Sequence, residues 1–295
     1  MCKHKNLTVY LKLLLMALFW GGTFIAGRFL AGEIQAFSAA FLRFSIASVV
    51  LLVITLRSYK QLPPVPREQW FPLFVLGLSG VFAYNFFFFR GLQVIEAGRA
   101  AVIIANNPIV IAVFAAIFFG EKLNFSKIMG VALSVCGAIV VITEGHPTTI
   151  FHSGIGTGEL YIFGCVISWV TYSLVGRTAM RNLTPLVAVT YSAVIGAVLL
   201  FPAACLEGLF DHITAYPPAV WLSLLYLGLG GTVLAFVWYY QGIQKIGSTR
   251  AGQFINFVPI SAILLSAWLL DEHLKFSLLS GVFLVSSGVY LTNRR

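Results

Sequence analysis

The sequence predicts an all-α integral membrane protein, ten transmembrane helices in two inverted five-helix repeats with both termini cytoplasmic. Three observations predict it. Of 295 residues 59% are hydrophobic and 10% charged, with a mean hydropathy of +0.92; a soluble domain carries about 25% charged residues, so a soluble globule is excluded. Apolar stretches of about 20 residues, the length that crosses hydrocarbon, follow one another along the whole chain. The sequence also matches itself at a fixed offset.

The first stretch, 11–30, follows Lys3, Lys5 and Lys12 and has small residues at Ala26 and Gly27, a pattern it shares with cleavable signal peptides. Further stretches fall at 36–57, 70–90, 97–119 and 126–143, completing a first repeat within 1–145. An outer linker, 146–158, leads to 159–177, 184–206, 219–242, 249–270 and 276–293, the second repeat within 159–295. Lysine and arginine set the orientation, because cytoplasmic loops retain them. Fourteen fall on the side of the N-terminus, four (Arg28, Arg90, Arg99 and Lys275) at the other ends, and Arg43 lies within a span. Both termini are therefore placed inside. The net charge of +9 is spread beside apolar segments, which is a topology signal and not a nucleic-acid surface. Cys136, Cys165 and Cys205 lie in apolar runs without metal-ligand or disulfide spacing.

At an offset of 151, Trp70 falls on Trp221, Gly80 on Gly231, Arg99 on Arg250, Pro108 on Pro259, Glu121 on Glu272 and Gly137 on Gly288. At 149, Trp20 falls on Trp169, Gly27 on Gly176 and Arg28 on Arg177, so the first span is part of the mature repeat. Matched Trp, Pro, Gly, Arg and Glu at one offset mean a duplicated unit. An odd number of helices per unit makes the second copy enter the membrane from the opposite side, an architecture recurrent in secondary transporters.

With ten spans, this repeat, the stretch from Trp20 to Phe24 and the two proline-to-Glu-x-Leu elements ending at Leu123 and Leu274, the chain resembles the EamA-type transporters of the drug/metabolite transporter superfamily over essentially its full length. The resemblance implies export of a small metabolite, with an amino acid or derivative as the leading class. Other small molecules (a nucleobase, a vitamin, a cationic drug) and lipid flipping stay open as alternatives.

Pro108 and Pro259 lie halfway along their spans, where each is expected to kink the helix and free a carbonyl, near Ile104 and Ile255. They are the expected hinges. Asn106, Asn107, Gln253 and Asn256 precede them, and such side chains in hydrocarbon face a cavity or a polar partner. Trp20 and Trp169 fall near midspan instead of at an interface, with Thr23, Phe24 and Tyr172 one turn away; these are candidate substrate contacts. Tyr84, Asn85, Trp238 and Tyr239 are weaker candidates, and Phe86 to Phe89 are expected to face lipid. Arg43 lies about 10 Å inside its span, counted at 1.5 Å per residue, and needs a partner: backbone carbonyls, Glu33 or Glu96. The face made by Gly130, Ser134 and Gly137, matched by Gly281 and Gly288, reads as a packing surface, with dimerisation a lesser possibility.

No Asp or Glu lies in the middle third of a span, which lowers the organic-cation reading. His146, His152, His212 and His273 lack the ligand spacing of a metal site. No nucleophile with its base gathers at either membrane face, so no enzyme is expected. The expected partners are a small-molecule substrate and the lipid bilayer, with no cofactor and no nucleic acid, in a monomer or homodimer of a bacterial cytoplasmic membrane.

Overall fold

The computed structural model describes residues 2–120, 125–146, 155–180, 182–246 and 254–293. Among these residues all regular structure is helical. Eight stretches are long and apolar enough to cross a membrane: Leu7–Glu33, Ala36–Tyr59, Arg67–Val94, Ala97–Phe118, Phe125–Ile142, Thr157–Gly176, Pro185–Leu206 and Pro218–Tyr239. Two shorter apolar helices follow, Phe254–Leu269 and Phe276–Thr292. Large apolar side chains point outward from them, including Phe118 and Trp268 at 67% and 77% exposure, as a lipid-facing surface requires.

The chain opens with α1 (Cys2–Glu33) and α2 (Ala36–Tyr59), joined by a tight turn at Ile34 and Gln35. The third span is one continuous helix in three parts: α3 (Trp70–Leu76), a π-helical stretch (Gly77–Ala83) and α4 (Tyr84–Val94). The fourth is divided into α5 (Ala97–Ile104) and α6 (Asn107–Phe119), and α7 (Phe125–Ile142) follows. Then come α8 (Thr157–Ala179), α9 (Pro185–Leu206) and the short α10 (Leu209–His212). The eighth stretch repeats the plan of the third, with α11 (Pro218–Leu225), a π-helical stretch (Tyr226–Leu234) and α12 (Ala235–Ile246). A 3-10 turn (Phe254–Asn256) leads into α13 (Phe257–Leu269), and α14 (Phe276–Asn293) closes the chain.

Both π-helical stretches are glycine-rich, and their glycines coincide at the offset of 151: Gly77 with Gly228 and Gly80 with Gly231. Each is a point of close approach. A Cβ on Gly77 would meet the backbone of Gly196 at 3.0 Å, and one on Gly228 would meet the Arg43 carbonyl at 3.1 Å. Hydroxyls in both stretches bond back to the chain: Thr232 Oγ1 donates to Leu227 O at 2.9 Å, and Ser79 Oγ to Val75 O at 2.6 Å.

The expectation that Phe86 to Phe89 face lipid is overturned. Phe88 and Phe89 are fully buried in the main core with Leu30, Leu92 and Ile162. Glycines on neighbouring helices make the room: a Cβ on Gly27 would lie 2.6 Å from the Phe88 ring, and one on Gly164 would lie 2.7 Å from Phe87. An all-aromatic run does not reveal which side has glycine opposite it.

The small-residue faces of α7 and α14 pack against each other within the chain. Cβ atoms on Gly130 and Gly288 would each lie 2.5 Å from the other's carbonyl oxygen, and a Cβ on Gly137 would lie 2.8 Å from Gly281 O. Backbones thus touch backbones over two turns, the contact that small residues permit. Gly281→Leu is expected to cost at least about 2 kcal/mol through overpacking, read as a clear drop in the melting temperature of the detergent-purified protein.

The turns that follow α1, α4, α7, α9 and α13 meet at one end, where a charge network joins them. Arg99 pairs with Glu159 at 2.6 Å and with Glu144 at 3.4 Å, and Lys275 pairs with Glu144 at 2.9 Å. Glu207 accepts from Ser38 N and Oγ at 2.8 and 3.1 Å, and Glu272 accepts from Ala97 N and Gly98 N at 2.8 and 3.2 Å. The Lys275 hydrogen bond, reinforced by Arg99 and His146, holds the Glu144 carboxyl below its ordinary value. A carboxyl depressed by folding adds stability above its unfolded pKa and loses it as pH falls through the folded value. Glu144→Gln is therefore expected to flatten the acid limb of a melting-temperature profile below about pH 4.5, the ordinary carboxylate range, with little change at pH 7. The effect is small, because Glu144 is 47% exposed.

Candidate functional site

The site is built where the first helix of each half meets a π-helical stretch. Trp20 Nε1 on α1 donates to Gly231 O at 2.9 Å, and Thr23 fills the space that a Cβ on Gly231 would occupy at 2.5 Å. Thr23 is itself tied down, its Oγ1 donating to Trp20 O at 2.6 Å. On α8 the Tyr172 ring fills the corresponding space over Gly80. Thr23 and Tyr172 are equivalent at offset 149, as Gly231 and Gly80 are at 151, so one contact is made twice with different side chains.

From these anchors a chain of rings crosses the molecule. Trp20 lies 5.5 Å from Tyr239 and 5.4 Å from Phe236. Phe236 lies 6.5 Å from Trp169, and Trp169 stacks on Tyr172 at 5.4 Å and tilts against Tyr84 at 5.6 Å. All six rings are half-buried. The rings offer apolar faces for stacking and a negative quadrupole for cations.

Beside this chain lies Arg43, 8% exposed. Its Nη1 donates to Asn85 Oδ1 at 3.0 Å, and its Nε and Nη2 donate to Thr232 Oγ1 at 3.3 and 3.2 Å. Asn85 is held in turn by a 2.8 Å bond from its Nδ2 to Val81 O. The partners are neutral side chains, not Glu33 or Glu96 as expected. The reason is reach: α2 packs against both π-helical stretches, which bring Asn85 and Thr232 alongside, while Glu33 is exposed at the helix end.

The fourth span breaks where a kink is expected. Pro108 sits in the first turn of α6, where its missing N–H costs nothing, so the span is two helices joined at Ala105 and Asn106. Asn106 makes the joint: its Nδ2 donates to Val102 O and Ile103 O at 3.1 and 3.2 Å, and its Oδ1 accepts from Ser134 Oγ at 2.6 Å. It is occupied by the fold. Asn107 beside it is buried, and its Oδ1 has no hydrogen-bond partner. Pro259 likewise falls in the first turn of α13, after the 3-10 turn that Asn256 closes. Gln253 lies outside the described residues.

Phe24 is buried in the core against Phe88 at 5.4 Å, and Trp238 stacks on Phe19 at 5.5 Å in the apolar cluster that also holds Trp20 and Tyr239. Two residues escaped the sequence reading, Phe236 and Thr232. Phe236 carries no polarity to distinguish it from lipid-facing phenylalanines; Thr232 follows the duplicated Gly231 directly, and that position was its one signal.

This is a multi-pass membrane protein with a polar and aromatic interior, of the kind that moves solutes. The chain belongs to the EamA-like transporter family, whose model matches residues 7–143 and 156–294. It is 30% identical over 285 residues to the uncharacterised transporter YyaM of Bacillus subtilis, covering 97% of this chain and 93% of that one. It is 26% identical over 234 residues to the aromatic amino acid exporter YddG of Ancylobacter novellus, covering 79% of each. A solved crystal structure shares its fold at a TM-score of 0.63 and 22% identity, over 97% of this chain and 98% of that one.

Proposed function

We propose that this transporter exports a small neutral or zwitterionic metabolite, foremost an amino acid, by alternating access. In this reading ten spans form two inverted five-helix repeats, within 1–145 and 159–295 and linked by 146–158, in a bacterial cytoplasmic membrane with both termini inside. The observation that carries the reading is the ring chain of Trp20, Phe236, Trp169, Tyr84 and Tyr172, drawn from both halves into the interior. Its faces suit an uncharged side chain, and the similar exporter from Ancylobacter novellus, named for aromatic amino acids, points the same way.

The halves rock about this centre. The third, fourth, eighth and ninth spans move most, and the joints before Pro108 and Pro259 take up the bend. Asn107, with its unpartnered Oδ1, and Asn256 face the pathway at those joints. The test is counterflow into proteoliposomes preloaded with unlabelled compound, with a labelled panel of neutral, acidic and basic amino acids, nucleobases and an organic cation. Selective exchange of neutral amino acids is the expected result; exchange of another class, or none from folded protein, overturns the substrate reading.

A further inference from the structure

A guanidinium inside a membrane protein is costly unless something compensates its charge. Arg43 receives only neutral partners in the described structure, and none of the ion pairs among the described residues includes it. The carboxylates that enter the folded interior from the loops are engaged elsewhere: Glu159 with Arg99, Glu207 with Ser38 and Glu272 with the first turn of α5. Guanidinium has five N–H donors. Three are used, which leaves one on each Nη, the number that a bidentate carboxylate takes.

The position is specific. Asn85 follows Tyr84, whose ring meets Trp169, and Thr232 lies one helical turn before Phe236, the ring that joins Trp20 to Trp169. The cation therefore adjoins the aromatic chain, so a solute bound along the rings would have a charged group within its reach. The repeat supplies no second copy, since Ser192 stands at the equivalent position, its hydroxyl donating to Val189 O at 3.1 Å. Among the described residues the site occurs once. Asn85 and Thr232 also belong to different halves, so Arg43 ties the third span to the eighth.

We propose that Arg43 is the receptor for the carboxylate of the transported solute, which takes the two free N–H donors and draws the guanidinium away from Asn85 and Thr232. The inference rests on the amino-acid reading for the rest of the ligand: the side chain lies along the rings, and the ammonium lies over the aromatic faces of Trp169 and Tyr84, where no acidic side chain is needed. Binding then loosens the tie between the third and eighth spans, the elements whose separation opens the pathway. An amine without a carboxylate leaves the tie intact.

The test is equilibrium binding of labelled phenylalanine, hydrocinnamate (the carboxylate without the amine) and phenethylamine (the amine without the carboxylate) to the detergent-purified full chain. Phenylalanine and hydrocinnamate are expected to bind and phenethylamine to bind far more weakly. Arg43→Gln is expected to weaken both carboxylates about 10- to 100-fold, the range of a hydrogen bond to a charged group, and to leave phenethylamine unchanged. Asn85→Asp gives the guanidinium a carboxylate of its own in nearly the same shape; it is expected to weaken both carboxylates similarly while melting no lower than the parent protein. This variant decides the matter if Arg43→Gln does not fold. Undiminished carboxylate binding in either folded variant overturns the proposal, as does a parent protein that binds neither carboxylate. Arg43-dependent binding of hydrocinnamate without any binding or exchange of amino acids sustains the carboxylate site and overturns the amino-acid reading alone.

Discussion

Asn106→Leu is expected to destabilise the folded protein by about 3 kcal/mol, and transport by the surviving fraction to fall with it. Leucine has the branching of asparagine and no polar atom, but it is larger, so overpacking at this buried position adds to the loss. The hydrogen bonds change more. Val102 O loses the amide that ends α5 and Ser134 Oγ loses the acceptor it reaches at 2.6 Å, while Ile103 O keeps the backbone N–H of residue 106 at 3.2 Å. Each buried polar group left unpaired costs about 1–3 kcal/mol, and no bulk water stands by to replace the partner. Adding Ser134→Ala removes one orphan and should recover about 1 kcal/mol. Thermal melting of both variants in one detergent measures this; a single variant as stable as the parent would show that the break does not depend on Asn106.

The same residue shows what the sequence could and could not convey. Apolar length, the excess of lysine and arginine on one side and the repeat all follow from composition and spacing, and the family is the one those features resemble. Pro108 was legible as a disturbance in the fourth span, but not as the first turn of a second helix. That outcome depends on Asn106 closing the preceding turn and on Ser134, far along the chain, fixing the amide. Arg43 was legible as a charge needing a partner. Its partners come from two spans brought alongside by glycine-rich π-helical stretches, and hydropathy carries no signal for a turn widened by one residue. Trp20 and Trp169 were legible because tryptophan away from an interface is unusual. Phe236, which joins them, looks in sequence like any phenylalanine facing lipid, and Phe88 is the converse case: its burial depends on Gly27 in another helix.

The second large effect is expected at Glu272. Its carboxylate follows α13 and accepts from Ala97 N and Gly98 N, two of the donors that the start of any helix leaves without an internal partner. A negative charge at that position also complements the helix dipole. Below this cap the helices are in close contact: a Cβ on Gly98 would lie 3.2 Å from Ile263 and 3.3 Å from Ser266. Glu272 therefore fastens the fourth span to the ninth at the end where the charge network lies. The elements it joins are two of those proposed to move, and they come from opposite halves. Glu272→Ala is expected to part them. A cysteine placed at Ala97, a residue fully buried here, should react at least tenfold faster with a membrane-impermeant thiol reagent added to that face, scored against the same protein without the introduced cysteine; tenfold corresponds to about 1.4 kcal/mol of differential stability, within the worth of a charged cap. Glu272→Gln keeps an acceptor and loses the charge, and should fall between the two. Because Arg99 with Glu159 and Lys275 with Glu144 still bridge the same face, the protein should stay folded, which separates opening of the mouth from loss of the structure. Unchanged reactivity at position 97 in folded Glu272→Ala would mean that these other contacts hold the face shut and that the cap serves α5 alone.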